Sequence, residues 1–264
     1  LKDSVMNTTQ TNAVLYKLAK AEGLSYDEAE WNELKTTLDT VVTNMNSMEK
    51  TGERAFYETY YVTKDEVLEA DKINMTATAY RDHVKEGIDA TDDEISAYYG
   101  DASNQSAIEE IQKVTIAHIL IKSDDTMTDE ERTAAKELAE DILERAKAGE
   151  DFGAMAAEYS EDGGSNTNNG EYTITRSENF VTEFMDWTFA DDREPGDMDI
   201  VETSYGYHVM KLVSVQGFEE MKDSIKDLVI NDKYNTEIGR ILSDNAVEWT
   251  VDEELYNSID VTYG

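Results

Sequence analysis

The sequence predicts an α+β fold in which a small sheet domain is inserted into an all-α module. Apolar residues recur at helical spacing before Lys113, alternate with a period of two after it, and return to helical spacing after Gln216. The expected domains are therefore residues 1–112, 113–215 and 216–264. Because the two end segments are both helical, we expect the C-terminal helix and tail to pack on the N-terminal segment.

The N-terminal segment carries several signals of helix starts. Apolar residues in TNAVLYKLAKAEGL follow one helix face that stops at Gly23. A Ser or Thr followed three residues later by Glu is the capping-box pattern, which marks helix N-termini. It predicts starts at Ser25, Thr63 and Thr91. Strand patterns are absent from this part of the sequence, so a helical module is predicted.

The stretch VTIAHILIK, residues 114–122, predicts the central strand of the sheet domain. Successive residues of a strand point to opposite faces. One predicted face carries Val114, Ile116, His118 and Leu120. The other face is also largely apolar, which is typical of a strand covered on both sides. A helix with a capping box at Thr128 and an end at Gly149 is predicted next.

The rest of the inserted domain is predicted as a short helix, a loop, a third helix and two strands. The loop is SEDGGSNTNNGEY, and the helix ENFVTEFMDWTF carries Phe180 and Phe184 on one stripe. The strands are within EPGDMDIVET and YGYHVMKLVSV. After the final helix, we expect a docked tail with Trp249 and Leu255 as its anchors.

Composition narrows the classes of partner and chemistry. The net charge is −36 over 264 residues, so nucleic acid and anionic membrane surfaces are not expected partners. The absence of cysteine excludes disulfides, thiolate metal sites and cysteine nucleophiles. Apolar stretches are all shorter than the roughly 20 residues that span a bilayer. The first ten residues lack a signal-peptide core, so any targeting segment is expected outside this sequence.

Standard catalytic motifs are missing, but two histidines stand in similar settings. The sequence has no GxSxG, no HExxH and no glycine-rich phosphate loop, and we expect no metal and no cofactor. His118 lies in VTIAHILIK and His208 in YGYHVMKLV, each alone among aliphatic residues. Taken singly, each is most simply a core histidine whose ring is hydrogen-bonded to a neighbour.

A family resemblance gives the pair a second interpretation. The run IAHILI, GEDFGAMAAEYSED, NG, FVTEFMDWTF and TSYGYHVMKLV resembles the parvulin-type peptidyl-prolyl cis-trans isomerase domain, over residues 113–215. The flanking TDDEISAYY and GFEEMKDSIKDLV resemble those of PrsA/SurA-type exported foldases. The resemblance implies a small antiparallel sheet with surrounding helices, and it implies that the helical ends form a chaperone module.

The resemblance also implies site residues. It places His118 and His208 in one hydrogen-bonded network at the floor of a proline pocket, with Thr203 beside them. Asp162 takes the position that holds Asp or Cys in the family, and Phe184 matches the aromatic wall. The substrate-binding set is completed by Phe180, where the family usually has Met or another apolar residue. For Phe180 and Phe184, simple core packing is the alternative interpretation.

The sequence departs from the family pattern in one loop. The family usually has GG.LG.F after the active-site loop, and the corresponding run here is NGEYTIT. Asn169 replaces the first glycine, Thr173 replaces the later one, and Thr175 stands where an aromatic is typical. Threonine does not readily adopt positive φ. The departures therefore bear on the loop geometry and on the strength of catalysis, and they leave a weakly active domain open.

The resemblance implies an isomerase and folding chaperone for secreted proteins, acting on unfolded or partly folded chains that contain X–Pro bonds. One alternative is a holdase chaperone whose parvulin domain is weak or inactive and serves substrate binding. Another is an acidic surface protein that binds cations or wall polymer. The family also implies an extracytoplasmic location, with a lipid anchor outside this sequence on the outer face of a Gram-positive cell membrane. It leaves a homodimer open.

Overall fold

The structure is a computed structural model that describes residues 2–46 and 50–250. The chain forms two compact units, Leu1–Ala90 with Leu228–Gly264, and Thr91–Asp227. The domain limits expected from the sequence, at 113 and 215, lie inside the second unit and stay a prediction. Each unit has its own buried core.

The described part of the first unit is helical. It contains α1 (Lys2–Glu22), α2 (Glu28–Asn44), α3 (Gly52–Tyr60), α4 (Lys64–Glu86) and the later part of α10 (Phe218–Asp244). Its core joins helices that are distant in sequence, and these buried residues are Leu15, Ala19, Ala77, Tyr80 and Ile241. The N-terminal helices and the end of α10 thus bury their apolar stripes against each other.

Local capping explains where several helices begin, and it corrects one prediction. Thr63 and Thr91 form capping boxes, so those two helix starts are confirmed. The start predicted at Ser25 is wrong, because α2 begins at Glu28 and Asp27 accepts hydrogen bonds from the first turn. Asp and Ser are both favoured at this position, and sequence alone does not decide between neighbours of similar preference.

The docked tail is also corrected in its described part. Trp249 was expected to be a buried anchor, but 46% of its surface is exposed. The second expected anchor, Leu255, lies outside the described residues.

The second unit contains a four-stranded antiparallel sheet and surrounding helices, which confirms the small antiparallel sheet that the resemblance implied. The residue pattern predicted three of the four strands, and the strand Glu171–Ile174 begins within the predicted loop. Its helices are α5 (Asp92–Gly100), α6 (Gln105–Ile111), α7 (Asp129–Lys147), α8 (Phe152–Tyr159), α9 (Thr182–Thr188) and the start of α10. Its strands are β1 (Val114–Lys122), β2 (Glu171–Ile174), β3 (Met198–Thr203) and β4 (Gly206–Val215), in the order β2-β1-β4-β3. A capping box at Thr128 begins α7, as predicted.

The two central strands, β1 and β4, are covered on both faces. On one face, α7 and α8 bury Ala117, Ile119 and Val209. On the other face, α9 packs Phe184 and Trp187 over a core that includes Ile116, Met210 and Leu212. The alternation of β1 places His118 on this α9 face, together with Ile116 as the sequence pattern predicted. One face is therefore an apolar core, and the other contains a polar cluster.

Candidate active site

A cavity of about 270 Å³ opens on the α9 face of the sheet. Its walls come from β1, β2, β4 and the segments around them. The lining residues are His118, Leu120, Asp162, Tyr172, Asn179, Phe180, Val181, Phe184, Tyr205 and His208. Five of the six residues expected at the site are in this set, and the sixth, Thr203, contacts His208 from behind. The structure thus brings all six together.

The two histidines meet because of the strand register. Leu120 pairs with His208 and His118 with Met210, so the two imidazoles are diagonal neighbours on adjacent strands. Their Nδ1 atoms are 3.1 Å apart, and the rings are nearly parallel with 5.3 Å between centroids. Only 3% of His118 and 5% of His208 is exposed. The pair is buried and directly hydrogen-bonded.

The neighbours of the pair fix the direction of every proton in it. His118 Nε2 lies 2.8 Å from an oxygen of Asp162, and a carboxylate accepts, so Nε2 carries the proton. In a neutral ring, His118 Nδ1 then accepts, and His208 Nδ1 must donate to it. His208 Nε2 therefore accepts the hydroxyl proton of Thr203, 2.9 Å away. Thr203 in turn accepts from the backbone N–H of Tyr205 at 3.1 Å.

Burial keeps both imidazoles neutral. The pKa of His208 is lowered to about 4, chiefly by burial and also by the neighbouring His118, while the charge of Asp162 opposes the change. Burial also lowers the pKa of His118, and the hydrogen bond and charge of Asp162 oppose this decrease. At neutral pH each ring therefore has one proton, which the directional chain of hydrogen bonds requires.

Asp162 is held as a carboxylate by four donors. Burial by itself would raise its pKa. This is overcome by hydrogen bonds from the Ser165 hydroxyl, the Gly164 N–H, His118 and the Tyr172 hydroxyl, which hold the pKa of Asp162 well below its usual value. With 23% of its side chain exposed, Asp162 brings a fixed negative charge to the cavity.

Aromatic rings form the opposite wall. Phe180 and Phe184 stack with 5.0 Å between their ring centroids. The rings of Phe184 and His118 are nearly perpendicular, with 5.3 Å between their centroids. Phe184 is 1% exposed and belongs to the core of the α9 face. Phe180 is half-buried and precedes α9, which begins at Thr182, so the prediction that both residues lie on one helix is wrong for Phe180. Phe184 thus serves packing and lines the cavity at once.

The altered loop has positive φ at Asn169 and Gly170 but not at Thr173 or Thr175. Asn169 adopts φ 56°, and asparagine tolerates this left-handed conformation. Gly170 has φ 75°, and a Cβ there would lie 2.4 Å from the carbonyl oxygen of His118. Thr173 is in the extended strand β2, paired with Thr115, so its position needs no glycine. Thr175 is outside the residues that line the cavity and contacts Ser177.

The sequence analysis missed two residues whose side chains donate hydrogen bonds to Asp162. Ser165 is fully buried, and its hydroxyl lies 2.6 Å from Asp162 and 3.1 Å from His118 Nε2. Tyr172 lines the cavity, and its hydroxyl is 2.9 Å from Asp162. A Cβ at Gly164 would come within 2.3 Å of that hydroxyl, so the glycine makes the contact sterically feasible. The signal in the sequence was Tyr172 itself, an aromatic within a loop otherwise rich in small polar residues.

A family model matches the segment that contains the cavity. The model of the PPIC-type PPIASE domain matches residues 103–216, which include the whole sheet and the cavity. This segment is a PpiC-type peptidyl-prolyl isomerase domain. The PpiC-type domain begins ten residues before the limit of 113 that the sequence analysis expected, and it confirms the parvulin-type resemblance.

The chain around the PpiC-type domain is similar to PrsA foldases, as the flanking sequences predicted. A foldase protein PrsA of Halalkalibacterium halodurans is 31% identical over 58% of this chain and 40% of that protein. One of Caldanaerobacter subterraneus is 32% identical over 66% of this chain and 50% of its own length. A crystal structure of a peptidylprolyl isomerase (PrsA) from Bacillus cereus aligns over 97% of this chain and 89% of that chain, with 23% identity and a TM-score of 0.35. The chain thus spans about half the length of the first two relatives, or less.

Proposed function

We propose that this chain is a peptidyl-prolyl cis-trans isomerase and folding chaperone for secreted proteins. The observation that carries the proposal is the neutral histidine pair, fixed between Thr203 and Asp162, at the floor of a cavity with an aromatic wall. A cavity of about 270 Å³ is large enough for a proline ring and the amide before it. The PpiC-type domain supports the same activity.

The geometry suits rotation about an amide bond without any covalent step. The planar amide is stabilised by resonance that places negative charge on its oxygen, and the uncatalysed barrier is about 18–20 kcal/mol. The ring nitrogens of His118 and His208 are all engaged with protein partners, so they stabilise no charge on that oxygen. The carboxylate of Asp162 repels the negative charge on the carbonyl oxygen of the planar amide. The site therefore raises the free energy of the planar amide relative to that of the twisted amide, which lowers the barrier to rotation.

In this mechanism the residues have distinct tasks. Phe180 and Phe184 hold the proline ring while the preceding carbonyl rotates. Asp162 supplies the field that acts on the carbonyl. His118, His208 and Thr203 are positioning residues, because they fix the carboxylate and the floor without exchanging protons.

The test is cis-to-trans isomerisation of a proline tetrapeptide followed with His208→Ala and Asp162→Ala. Each variant is expected to reduce kcat/KM about 100-fold, since both remove part of a buried network rather than one exposed contact. His83→Ala is the matched control, because His83 is exposed on α4 and its removal is expected to leave kcat/KM unchanged. If kcat/KM of the wild type is no higher than that of the two site variants, the proposal is wrong.

A second activity, holding unfolded chains, is favoured by a cleft in the first unit. The cleft has a volume of about 600 Å³, with Leu24, Tyr26 and Met75 among its lining residues and several carboxylates around them. We propose that the helical segments 1–112 and 216–264 act as the chaperone module. Protection of an aggregating client should then persist in the isomerase-inactive variant Asp162→Ala. If that variant no longer protects the client, chaperone activity depends on the isomerase site, and the assignment to the helical segments is wrong.

We also propose an extracytoplasmic location on the outer face of a Gram-positive membrane, held by a lipid anchor that the family resemblance implies. No described helix is long and apolar enough to cross a bilayer. The net charge of −36 supports contact with the membrane through such an anchor rather than through the protein surface. Fractionation of producing cells tests the location, and sedimentation tests a homodimer.

A further inference from the structure

We propose that the cavity selects X–Pro bonds in which the residue before proline is Lys or Arg, and that it rejects acidic or phosphorylated residues there. The inference rests on the proposed isomerase function and names its substrate class. The residue before proline carries the carbonyl that rotates, so its side chain enters the same field as that carbonyl.

The first observation is the charge of the cavity itself. Among its ten lining residues, Asp162 is the one that is charged at neutral pH, and no Lys or Arg belongs to this set. Both histidines are neutral because burial lowers their pKa values. The carboxylate faces low-dielectric aromatic walls, which focus the field of a charge into a cleft. A cationic side chain is thus attracted to the cavity, and an anionic one is repelled.

The second observation is the charge of the segment that builds the cavity. Residues 161–210 supply eight of the ten lining residues and contain 12 acidic but two basic side chains. Glu178 and Glu183 are exposed next to the lining residues Asn179 and Phe184. Both carboxylates add to the negative charge of the segment that builds the cavity.

The two basic residues of this segment are engaged elsewhere. Arg176 and Arg193 both line a separate cavity of about 220 Å³. The guanidinium of Arg176 lies over Phe189 at 4.9 Å, and that of Arg193 lies over Trp187 at 4.3 Å. Neither belongs to the lining of the isomerase cavity, so neither offsets the charge of Asp162 there.

The experiment compares capped peptides Ala-Xaa-Pro-Phe with Lys, Gln or Glu as Xaa, using NMR exchange to measure kcat/KM and peptide-induced shifts to measure Kd. At about 20 mM salt we expect kcat/KM for Lys to exceed that for Glu at least about tenfold, with Gln between them. The preference should shrink at about 500 mM salt, where exposed charges are screened. Equal values for Lys and Glu, or a preference for Glu, would overturn the inference.

A pair of charge-matched variants locates the source of the preference. Glu178→Gln with Glu183→Gln is expected to reduce the Lys-to-Glu ratio about threefold at low salt and to leave kcat/KM for the Gln peptide unchanged. Glu130→Gln with Glu140→Gln removes the same charge from exposed positions of α7, on the opposite face of the sheet, and should leave the ratio unchanged. Equal effects of the two pairs would assign the preference to net charge and overturn the role of this cavity.

The two proposals fail in different ways. If no peptide is isomerised, the isomerase function fails, and the Kd values still test charge selection. If all peptides are isomerised alike and bind alike, the isomerase stands and the charge selection is wrong.

Discussion

The two faces of the sheet are built from the same two strands but have opposite character. On the face covered by α7 and α8, β1 and β4 contribute aliphatic side chains such as Ile119 and Val209. On the α9 face, the alternate positions of the same strands contribute His118 and His208. A buried polar group is costly unless it is hydrogen-bonded, and every ring nitrogen of the two histidines has a partner. The difference teaches that one face is an apolar core alone, whereas the other adds an organised polar cluster beside an apolar core of its own.

The largest expected effect belongs to the apolar face. Ile142 of α7 is fully buried there, and Ile142→Ala should lower the free energy of unfolding by about 3 kcal/mol, measured by chemical denaturation. Leu138 lies on the same helix but is 36% exposed, so Leu138→Ala should cost under about 1 kcal/mol. Both variants should retain wild-type kcat/KM per folded molecule. If Ile142→Ala is fully folded but has lost isomerase activity, the two faces of the sheet do not have separate roles.

On the polar face, Thr203→Val tests the end of the hydrogen-bond chain. The variant leaves His208 Nε2 without its donor and the N–H of Tyr205 without its acceptor. A buried group left unpaired costs about 1–3 kcal/mol, so we expect a loss near 2 kcal/mol in unfolding free energy and about tenfold in kcat/KM. The control is Thr173→Val, at an exposed threonine of β2 with a hydroxyl contact to Thr115. Equal losses in the two variants would contradict a special role for Thr203.

A smaller effect is expected from Tyr172, one of the two donors to Asp162 that the sequence analysis missed. Tyr172→Phe removes one of four donors to Asp162 and keeps the aromatic ring, so kcat/KM should fall about fivefold with little change in stability. Tyr207→Phe alters a tyrosine that packs on the apolar face and should have no effect on kcat/KM. If Tyr172→Phe has full activity, Asp162 is fixed by its other three donors alone.

The smallest effect is the response to mild acid. Because the pKa of His208 is lowered to about 4, only about a quarter of it is protonated at pH about 4.5. The unfolded chain binds this proton near pH 6.5, so the contribution of His208 to stability is complete above that pH and is lost as the pH falls toward 4. Isomerase activity should therefore change by less than twofold between about pH 7.5 and pH 5. Loss of half of the isomerase activity near pH 6.5 would contradict this expectation, because His208 would then titrate like an unperturbed histidine.

Much of this architecture was predictable because it depends on local periodicity. The alternation in VTIAHILIK gave the strand β1 with both its faces, and the capping boxes gave the starts of α4, α5 and α7. Contacts across the fold were harder. Ser165 and Tyr172 reach Asp162 through the path of the loop between α8 and β2, and that path depends on steric space at Gly164 and Gly170. The resemblance identified the six site residues, but residue spacing alone does not encode this loop path.

The two loop positions at which glycine is replaced have different backbone conformations. Thr173 was compared with a glycine, and a positive φ was assumed for it. The strand pairing with Thr115 makes its backbone extended, which threonine prefers. The substitution of a glycine therefore signals strain only where the backbone needs a left-handed conformation, as at Asn169.

The central claim is that the histidine pair is neutral and has one direction of hydrogen bonding. Nitrogen-15 NMR of the imidazoles at pH 7 tests it most directly, with His83→Gln to remove the signal of the third histidine. The account predicts a proton on Nε2 of His118 and on Nδ1 of His208, with the other nitrogen of each ring unprotonated. An imidazolium pattern on either ring, or the same tautomer on both, would contradict it.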